Sequence, residues 1–191
     1  MPHPDALLWN ARYASESHSI PRSPRGLVTS HLNLLPPDGL ILDVACGATP
    51  TGLYLARRGW RVIALDVAET ALRRIQPRVQ KEALPVSLAV MDLMNPWLPP
   101  NHFDVILNFY FLSFEIWSTY RKALKPGGLL FFETFIYDPN LEMNPAHFLR
   151  EGELQAAFQD WDVIHYAEIL RPHHDAPTSN RRVAQLLARK P

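Results

Sequence analysis

Small residues interrupt an apolar stretch between Leu40 and Ala56, in a pattern that could hold a ligand against the backbone. An aliphatic run from Leu40 to Val44 comes first, and apolar residues resume at Leu53. This order predicts a buried strand, a tight turn and a packed helix. Gly47 lets a ligand approach the main chain, and Pro50 suits the first helical position because its missing N–H would have had no partner there. Since a helix start offers free N–H groups, the stretch indicates a nucleotide-type site.

An acidic residue follows the next apolar run, about twenty residues further along the chain. Asp66 ends the run Arg61 to Leu65, where a carboxylate can accept hydrogen bonds from both hydroxyls of a ribose. The dinucleotide fingerprint G-x-G-x-x-G is absent, because the turn continues Ala48-Thr49-Pro50. A triphosphate loop would need Lys and Ser or Thr after Gly52, where the chain has Leu and Tyr. The pattern indicates a nucleoside-containing cofactor, and a dehydrogenase stays open as an alternative.

Several segments resemble, in order along the chain, the motifs of class I S-adenosylmethionine-dependent methyltransferases. Leu42-Asp43-Val44-Ala45-Cys46-Gly47 resembles their first motif, and Asp66 their ribose-binding acid. Met91-Asp92-Leu93 resembles the third-strand end whose acid binds the adenine amine, and Ala123-Leu124-Lys125-Pro126-Gly127-Gly128 is similar to the turn before their fifth strand. Within this superfamily the C-terminal part is similar to the tellurite-resistance (TehB-type) methyltransferases, at Arg150 to Leu154, Asp160-Trp161 and Leu187 to Lys190. The resemblance covers nearly the whole chain from Trp9 onward.

The resemblance implies S-adenosylmethionine as the cofactor, no bound metal, and a small-molecule methyl acceptor, such as the chalcogen oxyanions tellurite and selenite. The residues that it implies for cofactor binding are Asp43, Ala45, Cys46, Gly47, Asp66, Val67, Asp92, Leu93, Asn108, Phe109 and Arg12. It also implies that the N-terminal segment, residues 1–25, folds over the cofactor as a lid, with Trp9 to Tyr13 as the candidate stretch. An ordinary N-terminal helix with a solvated arginine is the alternative.

Candidate residues for the transfer itself follow the fourth and sixth predicted strands. A sulfonium makes its methyl group electrophilic, so an enzyme mainly needs to hold the acceptor in line behind it. Tyr110, between Phe109 and Phe111, could supply an aromatic face to the sulfonium. Basic side chains concentrate in the predicted loop from Arg171 to Arg181 and at Arg182, and arginine forks suit carboxylates and small oxyanions. The candidate catalytic residues are Arg171, Tyr110 and Arg182, and the resemblance puts Arg171 first.

Three positions invite other interpretations. The family usually has a second glycine where this chain has Thr49, and a β-branched residue is poorly suited to positive φ, so the turn must differ locally. A catalytically degenerate fold used only for binding is therefore the competing hypothesis. His173-His174-Asp175 could be metal ligands, but adjacent side chains point in different directions and no second cluster exists. Cys46 precedes a helix without a companion His or Asn motif, which favours a packed turn residue over a nucleophile.

The alternation of apolar runs predicts a Rossmann-like, doubly wound α/β sheet. Helices are predicted over residues 6–14, 26–35, 50–56, 68–83, 113–124 and 152–159, with Pro77 as a kink or break. Strands are predicted over 40–44, 61–66, 86–91, 103–109, 129–135, 161–170 and 182–190. About seven strands should be mostly parallel with an antiparallel last strand, and helices should cover both faces. Ligands in such sheets bind beyond the carboxyl ends of the strands, which the loop 171–181 should overhang.

Composition limits the class of protein. The 191 residues predict one domain spanning 1–191. Lys plus Arg equals Asp plus Glu, at 19 each, so no excess of positive charge favours nucleic acid. No apolar run approaches the ~20 residues of a membrane span, and no leader pattern begins the chain. The single cysteine fits a reducing compartment, so we expect a cytoplasmic protein. We also expect a monomer or weak dimer that acts on a small-molecule substrate and has neither nucleic acid nor membrane as a partner.

Overall fold

The computed structural model describes residues 4–15, 23–94, 96–140, 144–173 and 176–191. Its helices are α1 (Pro4–Ala14), α2 (Gly26–Thr29), α3 (Pro50–Ala56), α4 (Glu69–Lys81), α5 (Ile116–Ala123) and α6 (Glu153–Ala157), with 3-10 turns at Leu32–Leu34 and Pro145–His147. Its strands are β1 (Leu40–Val44), β2 (Arg61–Asp66), β3 (Val86–Val90), β4 (Phe103–Phe109), β5 (Leu124–Phe135), β6 (Asp162–His173) and β7 (Ala176–Arg189).

The strands form one seven-stranded sheet in the order β3-β2-β1-β4-β5-β7-β6. The pairs from β3 to β5 are parallel, and β7 pairs antiparallel with both β5 and β6. The predicted fold, a mostly parallel Rossmann-like sheet with an antiparallel last strand, is confirmed. The chain runs from β1 to β2 and β3 on one side and then crosses to β4 on the other side of β1. Because the strand order reverses there, a crevice opens at the carboxyl ends of these strands.

Both faces of the sheet are covered by apolar clusters, as expected for parallel strands. Consecutive side chains of β1 pack on opposite faces of the sheet. Leu42 belongs to the cluster that includes Tyr120 of α5. Ile41 belongs to the cluster that includes Val28 of α2 and Leu55 of α3. All five side chains are buried. The sheet is therefore a rigid platform for side chains at its carboxyl edge.

Several predicted boundaries were wrong. The predicted helix 26–35 is only α2 and a 3-10 turn, because the Thr29 hydroxyl donates to the Gly26 carbonyl, 3.2 Å away, and His31 Nδ1 lies 2.9 Å from the Leu27 oxygen. The helix predicted over 68–83 is observed as α4, Glu69–Lys81, and the alternative of a break at Pro77 is wrong because the helix continues through it.

The last strands are longer than predicted. Most of the predicted loop 171–181 is strand, since backbone pairing continues to the tip and Arg171 stands opposite Arg181. β5 likewise begins at Leu124, five residues before the predicted start at Leu129, because Leu124 already pairs with Phe103 of β4. Of the helices in the described ranges, none is both long enough and apolar enough to cross a membrane.

Candidate functional site

A cleft opens at the carboxyl ends of β1, β2 and β4, where the strand order reverses. It encloses about 1130 Å³, including its open mouth. Its lining residues come from α1, the residue before α2, the end of β1 and the turn into α3, and the ends of β2, β3 and β4 with the residues that follow them: Asp5, Trp9, Tyr13, Arg25, Asp43, Val44, Ala45, Cys46, Ala48, Thr49, Pro50, Thr51, Asp66, Val67, Asp92, Leu93, Met94, Phe109, Tyr110 and Phe111.

The turn after β1 has left-handed backbone at Ala45 (φ 49°) and Gly47 (φ 55°). Thr49 avoids that region, with φ −2° and ψ 91°, and serves as the N-cap of α3. Its hydroxyl oxygen accepts a hydrogen bond from the Gly52 N–H at 2.8 Å and donates one to the Asp43 carboxylate. The turn thus differs locally from a glycine-rich one, because the Thr49 side chain caps the first turn of α3.

Asp43 is buried beneath this turn, with 3% of its surface exposed. Burial raises its pKa to about 6, although the hydrogen bond from Thr49 opposes the rise. A β-carbon at Gly52 would stand 2.9 Å from Asp43 Oδ2 and 2.9 Å from Thr49 Oγ1. The glycine therefore makes room for the carboxylate at the bottom of the cleft.

Asp66 faces the same turn from the end of β2. Its Oδ2 accepts from the Gly47 N–H at 2.7 Å, and its Oδ1 from the Ala68 N–H at 2.8 Å. Burial raises the pKa of this carboxyl, and the backbone hydrogen bonds oppose the rise. Each carboxylate oxygen has a further lone pair, so Asp66 can accept from a ligand as well. Asp92 lines the cleft nearby, where its Oδ1 accepts from the Met94 N–H at 2.9 Å.

The N-terminal helix closes one side of the cleft with residues four apart, Asp5, Trp9 and Tyr13. Asn10 attaches it to the body of the protein, because its Oδ1 accepts from the Thr70 N–H at the start of α4, 2.8 Å away. Arg12 is exposed, with its guanidinium 4.8 Å from the centre of the Trp9 ring, and does not line the cleft. The i, i+4 spacing could have identified Tyr13 rather than Arg12 from the sequence.

A basic and aromatic wall forms the opposite side. The Arg25 guanidinium carbon lies 4.6 Å from the centre of the Tyr110 ring and 5.6 Å from that of Phe109. The aromatic face predicted for a sulfonium is thus covered by an arginine in this structure. Arg171 approaches the same wall: its positive charge lowers the pKa of Tyr110, against the larger rise caused by burial. Among the described residues, none accepts a hydrogen bond from the buried Nε of Arg171. No sequence signal indicated Arg25.

Besides Arg12, two further predicted site residues do not line the cleft. Asn108 is fully buried and donates through Nδ2 to the Tyr120 hydroxyl, 2.9 Å away in the core, rather than lining the cleft. Arg182 pairs with Glu168 at 2.9 Å and with Glu151 at 3.2 Å. Because two carboxylates already hold its guanidinium, this arrangement favours a structural role for Arg182 over the predicted catalytic one.

The surroundings of Cys46 disfavour the cysteine alternative, and the histidine alternative lies partly outside the described residues. Burial, together with Asp43 and Asp66, raises the Cys46 pKa well above its ordinary value, which suppresses the nucleophilic thiolate. The described part of the chain contains no group of three or more His, Cys, Asp or Glu side chains that could hold a metal. His174 and Asp175 lie outside the described residues.

This chain is similar to known proteins in sequence and in fold. Residues 41–128 match the model of a methyltransferase domain. A probable S-adenosyl-L-methionine-dependent methyltransferase, TehB of Haemophilus influenzae, is 27% identical over 163 residues, 78% of this chain and 57% of the relative. The chain thus spans little more than half the length of that relative.

Solved structures show the same architecture. The crystal structure of Haemophilus influenzae TehB superposes with a TM-score of 0.77 and 23% identity, covering 97% of this chain and 67% of that one. Geranyl diphosphate C-methyltransferase of Streptomyces coelicolor, solved with Mg²⁺, geranyl diphosphate and S-adenosyl-L-homocysteine, has a TM-score of 0.68 at 15% identity, covering 86% and 76% of the two chains.

Proposed function

We propose that this chain, a TehB-like member of the class I S-adenosylmethionine-dependent methyltransferases, binds that cofactor in its cleft and transfers the methyl group to a small molecule. One observation carries the proposal: the Gly47 N–H donates to the Asp66 carboxylate at 2.7 Å, so the turn after β1 and the acid after β2 share one wall. The family's cofactor supplies a methyl group that is electrophilic already. The protein's main task is to position the acceptor.

The charge of the cleft fits a cationic cofactor. Four acids line it, Asp5, Asp43, Asp66 and Asp92, against one base, Arg25. A sulfonium and an ammonium group would gain from this excess of negative charge. Asp66 would hold the ribose, Asp92 and the neighbouring Leu93 the adenine, and the backbone of Ala45 to Gly47 the remainder. Because the Tyr13 hydroxyl lies against Gly47, Tyr13 must shift before a ligand can reach that glycine.

The acceptor side supports a second, finer candidate. Arg25 and Arg171 bring two guanidinium groups to the wall formed by Tyr110. Guanidinium groups bind oxyanions through paired hydrogen bonds, so an oxyanion such as tellurite or selenite is a candidate acceptor.

We also propose that the protein is cytoplasmic and is a monomer or weak dimer. We propose that it does not bind nucleic acid, since the chain has no net charge.

Calorimetric titration with S-adenosylhomocysteine tests the cofactor proposal. We expect saturable binding and a higher melting temperature. If S-adenosylhomocysteine at millimolar concentration produces no heat and no shift in melting temperature, the remaining hypotheses are a binding module and a dehydrogenase. A nicotinamide-dependent absorbance change would identify the dehydrogenase. Release of S-adenosylhomocysteine from S-adenosylmethionine, screened over oxygen, nitrogen, sulfur and chalcogen oxyanion acceptors, then identifies the accepting atom.

A further inference from the structure

Thr49 stands where the family usually has a glycine, and its hydroxyl joins the start of α3 to a buried acid. The Thr49 oxygen accepts a hydrogen bond from the Gly52 N–H at 2.8 Å, and the hydroxyl donates one to the Asp43 carboxylate. Thr49 and Asp43 are both buried, with 2% and 3% of their surfaces exposed, and both line the cleft. A glycine could make neither side-chain contact, so this chain has an additional hydroxyl at the bottom of the cleft.

The two hydrogen bonds of Thr49 favour one ionisation state of Asp43. A hydroxyl has one proton and two lone pairs, and an ionised carboxylate can only accept. Because the Thr49 oxygen accepts from the Gly52 N–H, its proton is left for Asp43 Oδ2. A carboxylate is a stronger acceptor than a neutral carboxyl group. Thr49 therefore favours the anion, and it lowers the pKa of Asp43 against the larger rise caused by burial.

The order of the strands puts Asp43 below the charged part of the proposed cofactor. The rim of the sheet runs from β3 through β2 to β1 and then to β4. The acids proposed for the adenine and the ribose, Asp92 and Asp66, follow β3 and end β2, and Tyr110 follows β4. The amino-acid part of the cofactor would therefore lie above the end of β1, where Asp43 lines the cleft.

Asp43 has one carboxylate oxygen that the surrounding protein does not use. Thr49 donates to Oδ2, and none of the described residues donates a hydrogen bond to Oδ1. An ammonium group has three protons to donate and accepts none. A hydrogen bond between an ammonium group and a carboxylate is about twice as strong as one between neutral groups. The ligand group that best suits Oδ1 is a cationic amine.

We propose that Thr49 is a positioning residue for the cofactor, because its hydroxyl holds Oδ2 of Asp43 so that Oδ1 binds the ammonium group of the amino-acid part. This inference rests on the proposed cofactor site and deepens it. Loss of the Thr49 hydroxyl acts on the ammonium group through Asp43 and leaves the adenine and ribose contacts intact. In this arrangement the threonine contributes to cofactor binding instead of marking a degenerate turn.

Two ligands that differ in the amino-acid part test the proposal. 5′-Methylthioadenosine has the adenine, ribose and sulfur of S-adenosylhomocysteine but no ammonium group. The ratio of their affinities, measured by calorimetry, therefore reports on the groups that contact the amino-acid part. In the wild type the preference for S-adenosylhomocysteine should fall about tenfold from about pH 7 to about pH 5, with a midpoint near the Asp43 pKa of about 6. Asp43→Asn should give a constant ratio.

Other ionisable groups near Asp43 should not produce this profile. Arg25 lowers the pKa of Asp43 and Asp66 raises it, but an arginine stays charged, and Asp66 is proposed for the ribose that both ligands share. Cys46 stays a thiol, because its pKa is raised well above the ordinary value. Asp43→Asn separates the titration of Asp43 from that of the remaining ionisable side chains of the cleft, which are Asp5, Tyr13, Asp92 and Tyr110.

Substitutions of Thr49 separate positioning from packing. Thr49→Val keeps the shape of the side chain but removes the hydroxyl, so the midpoint should move up by about one pH unit, the equivalent of one hydrogen bond to a charged group. Thr49→Ser should restore the wild-type midpoint. Thr134→Val removes a similarly buried hydroxyl that does not line the cleft, and it should leave the midpoint unchanged.

Each result counts for or against the role of Thr49. A wild-type ratio that does not change with pH contradicts the proposal, and so does an Asp43→Asn ratio that follows the wild type. A Thr49→Val midpoint equal to that of the wild type also contradicts it. If Thr49→Val does not fold, the wild type and Asp43→Asn still decide. Failure of both ligands to bind the wild type would instead contradict the proposed function.

Discussion

The hydroxyl of Tyr13 lies directly against the main chain of Gly47. A β-carbon built on that glycine would stand 2.2 Å from the Tyr13 oxygen, closer than any non-bonded contact allows. The N-terminal helix and the turn after the first strand are thus fitted to each other. Burial raises the pKa of the Tyr13 hydroxyl, and the charge of Asp66 adds to the rise, so this phenol stays protonated. The absence of a side chain at Gly47 is what permits the contact.

Substitution of Gly47 tests this fit. Gly47→Ala should lower the free energy of unfolding by about 1–2 kcal/mol because of its left-handed backbone, and should weaken S-adenosylhomocysteine binding at least tenfold, about 1.4 kcal/mol. Gly152→Ala is the matched control, since Gly152 has φ 73° and open space where the β-carbon would go. It should lose similar stability in urea denaturation but keep its affinity. Equal affinities for the two variants would mean that the ligand does not approach Gly47.

Asp66 and Arg171 should act on different ligands. Asp66→Ala removes the acceptor of the Gly47 and Ala68 N–H groups and should weaken S-adenosylhomocysteine binding by about ten- to hundredfold. Arg171→Ala should change that affinity less than about threefold, because Arg171 is proposed for the acceptor side and does not line the cleft. Asp38→Ala, which removes an exposed acid just before the amino end of β1 and so at the opposite end of that strand from the cleft, controls for loss of charge. Equal calorimetric effects of the first two variants would show that the cofactor and acceptor sides are misassigned.

Asp43 should make stability depend on pH. Its folded-state pKa of about 6 lies above its ordinary value of 3.8, so the native state binds the proton more tightly than the unfolded state. The stabilisation of the folded state by protonated Asp43 is present at low pH and is lost as the pH rises through 6. Between about pH 5 and pH 7 the free energy of unfolding of the wild type, measured by urea denaturation, should fall by about 1 kcal/mol more than that of Asp43→Asn. Parallel curves for the two proteins would contradict the buried ionisation.

Arg182 should matter for stability and not for the cofactor. Its guanidinium pairs with Glu168 and Glu151, and Glu168 also accepts from the Gly152 N–H at 2.7 Å. Because Arg182 is partly exposed, Arg182→Met should cost no more than about 1 kcal/mol. Its S-adenosylhomocysteine affinity should match the wild type in calorimetry. A large loss of affinity in a well-folded Arg182→Met protein would return Arg182 to the site.

The local pattern of the sequence was enough to predict the sheet and the base of the cleft. Apolar runs ending at Val44, Leu65 and Met91 predict parallel strands, and parallel strands bring their carboxyl ends to one edge. Asp66 and Asp92 therefore had to share a rim with Gly47. The length of the last hairpin was missed, because its pairing past Leu170 follows no apolar alternation.

By itself, the sequence determined the order of strand, turn, helix and acid, because these depend on residues within a few positions of each other. The tertiary structure alone decided which side chains enter the cleft. Tyr13 reaches Gly47, Arg25 covers Tyr110, and Glu168 holds Arg182 only after distant segments have packed. Such contacts depend on helix rotation and strand register, which are set by the whole core and leave no signal in the spacing of neighbouring residues.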